Sequence, residues 1–489
     1  MSEFNNVVVT ATKWSTITEI IAKLVAPITT IILARLLTPE AFGVVATVTM
    51  IISFAEIFTD AGFNKYLIQY EFKDNEDKNK CTSVAFWTNL IISLLLFAII
   101  AIFADPLAKI VGNPGLGNVI IIACANIPLS AFSSIQNALF KRDFDFKTLF
   151  VVRMIGIFIP LLITIPLALL LKNYWALIVG TIALNLSNAI ILTVKSKWKP
   201  NLFYDFNLLK RMFSFSVWTM IESVSIWLTG YVDIFVISIY LNQYYLGIYK
   251  TSIATVGQIM GLVTAATTPI LFSALSRLQN DEKAFKEMFF KFQKIVGLLV
   301  IPIGVGLFVY SDFVTFILLG SQWKEAAGFI GIWGLTSALT IMLSAYCSEV
   351  YRAKGKPKLS FLAQILHLIA LIPTLLICVK YSFQVLYYGR ALVRLELILV
   401  NLLLMYFYVN ISPKQMIKNI APSLIAAFLM GILGYGLNLI GKSIWWSFMS
   451  IVLCGVCYIS FLILFPKERI ILYNLIQKIK LKPHLWQKS

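Results

Sequence analysis

The chain has 489 residues, of which 59% are hydrophobic and only 13% are charged. Roughly a quarter of the residues of a soluble globular domain are charged, so this composition excludes such a domain and indicates a protein with many membrane spans. The net charge is +18, but positive charge in short loops is explained by orientation against anionic headgroups, and no nucleic acid partner is expected.

Apolar stretches long enough to cross a bilayer, about 20 residues each, follow one another along the whole chain. The predicted spans lie near 13–36, 42–62, 81–104, 117–139, 148–171, 175–194, 212–240, 247–273, 292–310, 327–350, 359–379, 384–408, 420–439 and 445–465. The first is longer than a signal-peptide core and lacks a small-residue cleavage site, so we expect it to remain as a helix. The sequence predicts an all-α polytopic membrane protein with about 14 transmembrane helices.

Basic residues outside the spans are distributed unevenly between alternate connections. Most of them lie within 65–80, 141–147, 195–211, 277–291, 352–358 and 414–418 and in the tail after 466. The intervening connections hold Lys109, Lys172, Lys324, Lys380 and Lys442. Because basic loops resist translocation, we expect both termini to face the cytoplasm. The basic and aromatic connection within 195–211 is expected to be an amphipathic segment on the cytoplasmic surface.

The first half of the chain is similar to the second at an offset of 204 residues, the difference between 14 and 218. The matching pairs are Trp14 with Trp218, Ile17 with Ile221, Leu37 with Leu241, Gly43 with Gly247 and Thr47 with Thr251. The chain either contains two parallel six-span repeats around a central cavity, as transporters do, or has chance identities in an apolar composition. The repeat predicts a six-helix lobe with its linker at 1–206, a second six-helix lobe at 207–410, an extra helix pair at 411–465 and a basic amphipathic cytoplasmic tail at 466–489.

Ionisable residues inside the predicted spans are candidate functional residues, because an unpaired charge within the hydrocarbon is costly. Arg390 and Arg394 are four residues apart, so they repel each other on one helix face and require an anion or an acid from another helix. These two are the first candidates for substrate binding, followed by Lys23, Arg153 and Lys250. The candidates for ion coupling or for lining a cavity are Glu19, Glu56, Glu222, Asp233 and Glu396.

Structural interpretations of the same charges stay open. Glu19 and Lys23 are four residues apart and could neutralise each other instead of contacting substrate. Arg153 and Lys250 lie near the predicted interfaces, where long side chains reach headgroups. Glu396 points away from the two arginines and is expected to pair elsewhere. No catalytic or metal-binding motif occurs, so no catalytic residue, cofactor or metal is predicted.

The segment 33–69, LARLLTPEAFGVVATVTMIISFAEIFTDAGFNKYLIQ, resembles the polysaccharide and O-antigen flippases of the colanic-acid and teichuronic-acid exporter branch. These proteins belong to the multidrug/oligosaccharidyl-lipid/polysaccharide exporter superfamily. The matching residues are Leu36, Leu37, Thr38, Pro39, Glu40, Phe42, Gly43, Asp60, Gly62, Phe63, Leu67, Ile68 and Gln69. The motif covers this hairpin alone, whereas the span count and the two-lobe layout agree over the whole length.

The resemblance implies two six-helix lobes around a central cavity, with two further C-terminal helices, in the inner membrane of a bacterium. It implies a flippase, not an enzyme, that carries a polyprenyl-diphosphate-linked oligosaccharide to the outer leaflet by alternating access of a partly cationic cavity. Membrane lipids, H⁺ or Na⁺ as a coupling ion, and polysaccharide polymerase and chain-length proteins are the other partners that it suggests.

Two other functions stay open. A cation-coupled drug or small-molecule exporter of the same superfamily usually has twelve spans, fewer than this sequence predicts. A membrane glycan polymerase or ligase needs a substantial outer loop with catalytic residues, and the longest outer connections, 105–117 and 311–326, have no room for a folded domain.

Overall fold

A computed structural model describes the backbone of residues 2–60, 62–466, 468–470 and 473. Side chains are described for these residues except 2–9, 11–13, 15, 16, 20, 60, 214–219, 221, 222 and 266. The side chain of the predicted site residue Glu222 and most of the predicted tail at 466–489 therefore lie outside the described part of the chain.

The chain divides into two compact units, Met1–Thr251 and Ser252–Ser489. The first unit contains α1 (Ser2–Leu36), α2 (Pro39–Asp60), α3 (Phe63–Gln69), α4 (Asn75–Ile102), α5 (Ala104–Ile110), α6 (Gly117–Cys124), α7 (Asn126–Arg142), α8 (Phe146–Ile159), α9 (Ile165–Leu171), α10 (Trp175–Lys195), α11 (Phe206–Tyr240) and the start of α12 (Gln243–Arg277). The second contains the rest of α12, α13 (Glu282–Val309), α14 (Ser311–Leu318), α15 (Ala326–Thr340), α16 (Tyr346–Ala353), α17 (Lys358–Cys378), α18 (Phe383–Leu392), α19 (Arg394–Val409), α20 (Pro413–Ile440) and α21 (Ile444–Ile463). The domain boundaries at 206, 410 and 465 stay predictions.

The described helices provide 13 candidate membrane spans, or up to 14 when the bent helix α12 is counted as one span. Its two parts, Gln243–Ala265 and Thr267–Arg277, meet at 41°. Many large apolar side chains are directed outward; Leu170, for example, is 80% exposed and Trp445 is 83% exposed. Such a surface is stable against lipid rather than water. The predicted all-α architecture with about 14 spans is confirmed.

One helix lies at the centre of the packing in each unit. In the first unit, α7 packs against α3, α4 and α10, while α1 packs against α8 and α2 against α11. In the second unit, α13 packs against α15 and α20, and α21 packs against α20. The C-terminal helix pair that the sequence predicts is therefore joined to the second unit through α13.

Aspartate and serine side chains cap the starts of several helices. Asp74 accepts a hydrogen bond from the backbone N–H of Asp77 at 2.7 Å, and Asp281 accepts one from Ala284 at 3.0 Å. The same role is filled by Asp145, Asp205, Ser382 and Ser443. Each cap satisfies an N–H group that the first helical turn leaves unpaired. Capping thus explains why these four aspartates occur within otherwise basic connections.

The helix bounds repeat at the offset that the sequence indicates. Helices α1 and α11 both have 35 residues, and their starts at 2 and 206 are 204 residues apart, as are the starts of α2 and α12 at 39 and 243. A Cβ atom on Gly43 would lie 1.9 Å from the Gln243 carbonyl oxygen, and one on Gly247 would lie 1.8 Å from that of Pro39. Adding 204 to 39 and to 43 gives 243 and 247, so the two contacts join equivalent positions of the two repeats. This reciprocity favours a true repeat over chance identity, with glycine permitting close helix approach.

The connection from Ser196 to Asp205 is not helical and lies against α4. The backbone carbonyl of Asn201 accepts a hydrogen bond from Trp87 Nε1 at 2.7 Å, and Trp198 packs on the buried cluster around Phe86. The aromatic side of this predicted amphipathic segment is therefore held by protein contacts as well as by its position at the surface.

An ion pair fixes the end of the same connection, where α11 begins. Arg211 Nη2 lies 3.1 Å from Asp77 Oδ1 on α4. Burial by itself lowers the pKa of Arg211, but the hydrogen bond to Asp77 and the interactions with Cys81 and Tyr66 together outweigh it and raise that pKa above its usual value. The start of α11 is thereby tied to the start of α4.

Candidate functional site

A cavity of about 550 Å³ lies inside the first unit, among α1, α3, α7, α8 and α10. Uncharged polar side chains form much of its wall: Thr18, Asn64, Ser133, Ser134, Asn137 and Asn188. We call it the amide cavity. Amide and hydroxyl groups both donate and accept hydrogen bonds, so this wall suits a ligand with many hydroxyl groups.

Three ionisable side chains also line the amide cavity, namely Glu19, Lys141 and Arg153. All three are exposed, so the cavity is open to the surroundings of the first unit. The sequence predicts Glu19 and Arg153 as site residues, and the structure brings them to the same cavity. Two cations and one acid leave a local excess of positive charge, which favours an anionic group in the ligand.

The position of Arg153 follows from how α8 begins. Asp145 accepts hydrogen bonds from the backbone N–H of Thr148 at 3.0 Å and from its hydroxyl at 2.7 Å, which fixes the first turn. Arg153 follows Leu149 by four residues and precedes Gly156 by three, so the three share one helix face. That face forms part of the cavity wall.

Lys23 and Glu56 are the other predicted site residues of α1 and α2. Lys23 is exposed, and among the described side chains no ion pair joins it to Glu19. Glu56 accepts a hydrogen bond from Ser130 Oγ at 2.7 Å. Because Ser130 precedes Ser134 by one turn of α7, Glu56 lies beside the helix that supplies much of the amide cavity.

Asp233 and Lys250 belong to a second polar group in the first unit. Asp233 is only 4% exposed, and its Oδ2 atom accepts a hydrogen bond from the Tyr249 hydroxyl at 2.6 Å. The Lys250 ammonium lies 5.2 Å from the centre of the Tyr231 ring and within electrostatic range of Asp233. The hydroxyl donor satisfies one oxygen of this buried acid, and the lysine is a nearby cation, so the two predicted site residues lie in one polar group.

In the second unit, Arg390 and Arg394 share one aromatic surface. The guanidinium carbons of the two arginines lie 5.1 and 4.0 Å from the centre of the Trp333 ring on α15. Arg394 also donates a hydrogen bond to Ser337 Oγ at 2.8 Å. The arginines are thus brought together, as their spacing predicts, and the indole face and a hydroxyl stabilise them. Arg390 is 9% exposed and Arg394 is half-buried.

Glu396 lies against His367 of α17, with Oε2 3.0 Å from Nδ1. The His367 side chain is nearly fully buried, whereas the Glu396 side chain remains 29% exposed. The acid is therefore held by another helix, as its direction on α19 suggests, while His367 lies within electrostatic range of both arginines.

Sequence reasoning based on embedded charges missed the uncharged residues of the amide cavity and of the site around Arg390 and Arg394. The amides of the amide cavity and Trp333 carry no charge, so a search for charges in apolar spans passes over them. One signal was available on α7, where Ser130, Ser134, Asn137 and Lys141 recur at helical spacing. A polar stripe of this kind in a membrane span indicates a face that contacts water or ligand.

A multi-span all-α fold with a polar cavity between its helices is typical of a membrane transport protein. The chain belongs to the family described as polysaccharide biosynthesis protein, whose model matches residues 32–328. The family that the segment 33–69 indicates is therefore confirmed.

Several curated proteins are similar to this chain. The succinoglycan biosynthesis transport protein ExoT of Rhizobium meliloti (strain 1021) is 26% identical, with the match covering 65% of this chain and 64% of the relative, slightly under two thirds of its length. The teichuronic acid biosynthesis protein TuaB of Bacillus subtilis (strain 168) is 19% identical over 74% of each chain. The lipopolysaccharide biosynthesis protein WzxC of Escherichia coli (strain K12) is 20% identical over 87% of each.

Solved structures of transporters share the fold. The lipid II flippase MurJ in an inward closed conformation has a TM-score of 0.74 at 16% identity, covering 93% of this chain and 99% of MurJ. An inward-facing multidrug resistance MATE transporter of the MOP superfamily has a TM-score of 0.58 at 14% identity, covering 79% and 96%. The chain thus has the fold of the multidrug/oligosaccharidyl-lipid/polysaccharide exporter superfamily.

Proposed function

We propose that this protein is a flippase that moves a polyprenyl-diphosphate-linked oligosaccharide from the cytoplasmic to the outer leaflet of the bacterial inner membrane. The family and the names of the relatives, which refer to transport of succinoglycan and to synthesis of teichuronic acid and lipopolysaccharide, support this substrate class. The observation that carries the proposal is the amide cavity.

The physical task is to shield sugar hydroxyls and a diphosphate from hydrocarbon. Each hydroxyl that loses water without a new partner costs about 1–3 kcal/mol, and an unpaired charge costs far more. The amide cavity offers donors and acceptors for hydroxyls and cations for phosphate, and its volume of about 550 Å³ is within the usual range for ligand pockets. The lipid chain needs no such site, because it remains in the bilayer.

Within this proposal the cavity side chains have separate roles. Asn137 and Asn188 bind sugar hydroxyls through their amides, each of which both donates and accepts. Arg153 and Lys141 bind the diphosphate, Arg153 through its planar fork of donors. Glu19 accepts hydrogen bonds from hydroxyls and directs the diphosphate towards the two cations.

The second unit supplies a further anion contact in this proposal. Arg390 and Arg394 are held on the Trp333 face, which limits their side-chain freedom and so lowers the entropic cost of binding an anion. Transport proceeds by alternating access of a partly cationic cavity, with both termini in the cytoplasm. The remaining candidates for substrate contact or for coupling to H⁺ or Na⁺ are Lys23, Lys250, Glu56, Glu222, Asp233 and Glu396. Membrane lipids and the polysaccharide polymerase and chain-length proteins remain proposed partners.

The test uses a deletion strain that carries plasmid copies of the protein at matched levels. Arg153→Gln removes the cation that α8 supplies to the amide cavity, and Asn137→Leu removes one of the amides that α7 supplies. Lys147→Gln is the matched control, because Lys147 is an exposed cation of the same helix that does not line the cavity.

The readout is the fraction of lipid-linked oligosaccharide that an added glycosidase can reach in spheroplasts. The deletion strain, Arg153→Gln and Asn137→Leu should all trap the oligosaccharide on the inner leaflet, and Lys147→Gln should behave as the native protein does. Drug sensitivity of the deletion strain without trapped oligosaccharide would instead indicate a drug exporter. Normal export by both cavity variants would refute the role of the amide cavity.

A further inference from the structure

A second polar cavity of the first unit, of about 520 Å³, shares no lining residue with the amide cavity. It lies where the ends of α7 and α10 meet the start of α4 and the connection after α10. Four lysines and two aspartates line it: Lys78, Lys195, Lys197, Lys199, Asp143 and Asp145. We call it the lysine cavity. The charge distribution predicts that it opens on the cytoplasmic side.

The sequence KSKWK at 195–199 builds one wall of the lysine cavity. Ser196 has an extended backbone, and burial alternates along the residues that follow it. Ser196 is buried, and Trp198 packs 5.5 Å from the Phe86 ring. Lys197 and the neighbouring lysines are exposed on the other side. Anchoring of the serine and the tryptophan therefore holds the lysines at the cavity instead of leaving them on a free loop.

Both acids of the lysine cavity are already used by other groups. Asp143 forms an ion pair with Lys78 at 3.0 Å, and Asp145 caps the start of α8. Lys199 donates a hydrogen bond to the backbone carbonyl of Thr193. Among the described residues, Lys195 and Lys197 have no acid partner. The cavity thus has a net charge of +2 that its own wall does not neutralise.

We propose that the lysine cavity binds a phosphate-bearing anion, either the headgroup of an anionic lipid in the adjacent leaflet or a soluble phosphate. Ammonium groups are compact point charges that suit phosphate oxygens. Anionic headgroups concentrate at the cytoplasmic surface and attract each nearby lysine. The cavity volume of about 520 Å³ distinguishes this site from a flat basic surface, because four lysine side chains line one concave space. The inference concerns binding alone and stands apart from the flippase proposal.

Purified full-length protein is compared in nanodiscs of phosphatidylcholine alone and of phosphatidylcholine with about one third phosphatidylglycerol. The test variant is Lys195→Gln with Lys197→Gln. The control is Lys147→Gln with Lys210→Gln, which removes the same charge from exposed positions on the same predicted side that do not line the cavity. Melting temperature and lipid retention in native mass spectrometry are measured. A third arm titrates inorganic phosphate into the phosphatidylcholine nanodiscs.

The native protein and the control variant should be stabilised by phosphatidylglycerol, and the test variant should bind it roughly tenfold more weakly. Stabilisation by inorganic phosphate, present in the native protein and absent from the test variant, would identify the soluble source for the same site. If the test and control variants lose phosphatidylglycerol binding equally, diffuse surface charge explains the binding and the proposal is overturned. The proposal is also overturned if neither phosphatidylglycerol nor inorganic phosphate stabilises the native protein. Equal melting temperatures of all variants in phosphatidylcholine alone confirm that they fold.

Discussion

A single methyl group added at Gly247 tests whether the reciprocal crossing of α2 and α12 holds the first unit together. The new Cβ atom would lie 1.8 Å from the Pro39 carbonyl oxygen and 2.6 Å from its carbon. Real Cβ contacts essentially never fall below 3.0 Å, so the two backbones must separate by roughly 1.2 Å, the difference between these distances. Both contacting atoms belong to the backbone, and no side chain can rotate to relieve them.

The size of the effect follows from two opposing terms. Overpacking of a tight contact costs about 1–3 kcal/mol and sometimes more, whereas replacing glycine by alanine inside a helix gains about 1 kcal/mol. Because both contacting atoms are backbone atoms, we take the upper end of the overpacking range, about 3 kcal/mol, so Gly247→Ala should lose about 2 kcal/mol overall. This loss lowers the melting temperature by about 4–8 °C for a unit of this size. Thermal unfolding in detergent, followed by size-exclusion fluorescence, measures this change.

Gly257→Ala is the matched control on the same helix. A Cβ atom there would meet nothing within 4 Å in the described part of the chain. The control should therefore be as stable as the native protein or slightly more stable. If Gly247→Ala melts at the same temperature as Gly257→Ala, the crossing is not tight, and the structural argument for the repeat loses its main contact.

Three further substitutions test other contacts. Trp333→Leu removes the surface on which two arginines lie, so we expect roughly tenfold lower glycan export at unchanged protein level, measured by surface glycan staining. Arg142→Gln removes a side chain that donates hydrogen bonds to three backbone carbonyls, including that of Tyr70 at 2.8 Å. Loss of these bonds should increase proteolytic cleavage of the connection after α3. Unchanged cleavage would contradict this role. Tyr249→Phe removes the 2.6 Å hydrogen bond to buried Asp233. It should lower the free energy of unfolding by about 1–3 kcal/mol, measured by thermal unfolding. An unchanged melting temperature would mean that water replaces the hydroxyl.

The spans, their number and the repeat could be predicted because each leaves a one-dimensional signal. Hydropathy over about 20 residues is a local property, and the backbone in hydrocarbon has few alternatives to the helix. The offset of 204 residues needs only comparison of the chain with itself, and the bounds of α1 and α11 repeat at that offset. Charge spacing likewise predicts that Arg390 and Arg394 lie together.

The amide cavity could not be predicted in the same way, because its wall comes from five helices. Thr18 on α1 and Asn188 on α10 are far apart in sequence, and neither has a charge that marks it. Which faces meet depends on the packing of α7 against α10 and of α1 against α8. Trp333 was missed for a related reason, since an aromatic residue in a membrane span usually packs in the core or at the interface.

The composition of the amide cavity wall discriminates between the functions that the sequence left open. Pockets for drug-like molecules are lined mainly by apolar and aromatic side chains, with a few polar groups that fix orientation. Here amides and hydroxyls line much of the wall, together with Lys141, Arg153 and Glu19. Thr18, Ser133 and Ser134 already donate hydrogen bonds to backbone carbonyls of their own helices. An apolar ligand would offer no partner to the amides of Asn137 and Asn188 or to the three ionisable side chains, and each buried polar group without a partner costs about 1–3 kcal/mol. A ligand that combines hydroxyls with phosphate would offer partners to all of them, and this supports the proposed flippase over the drug-exporter alternative.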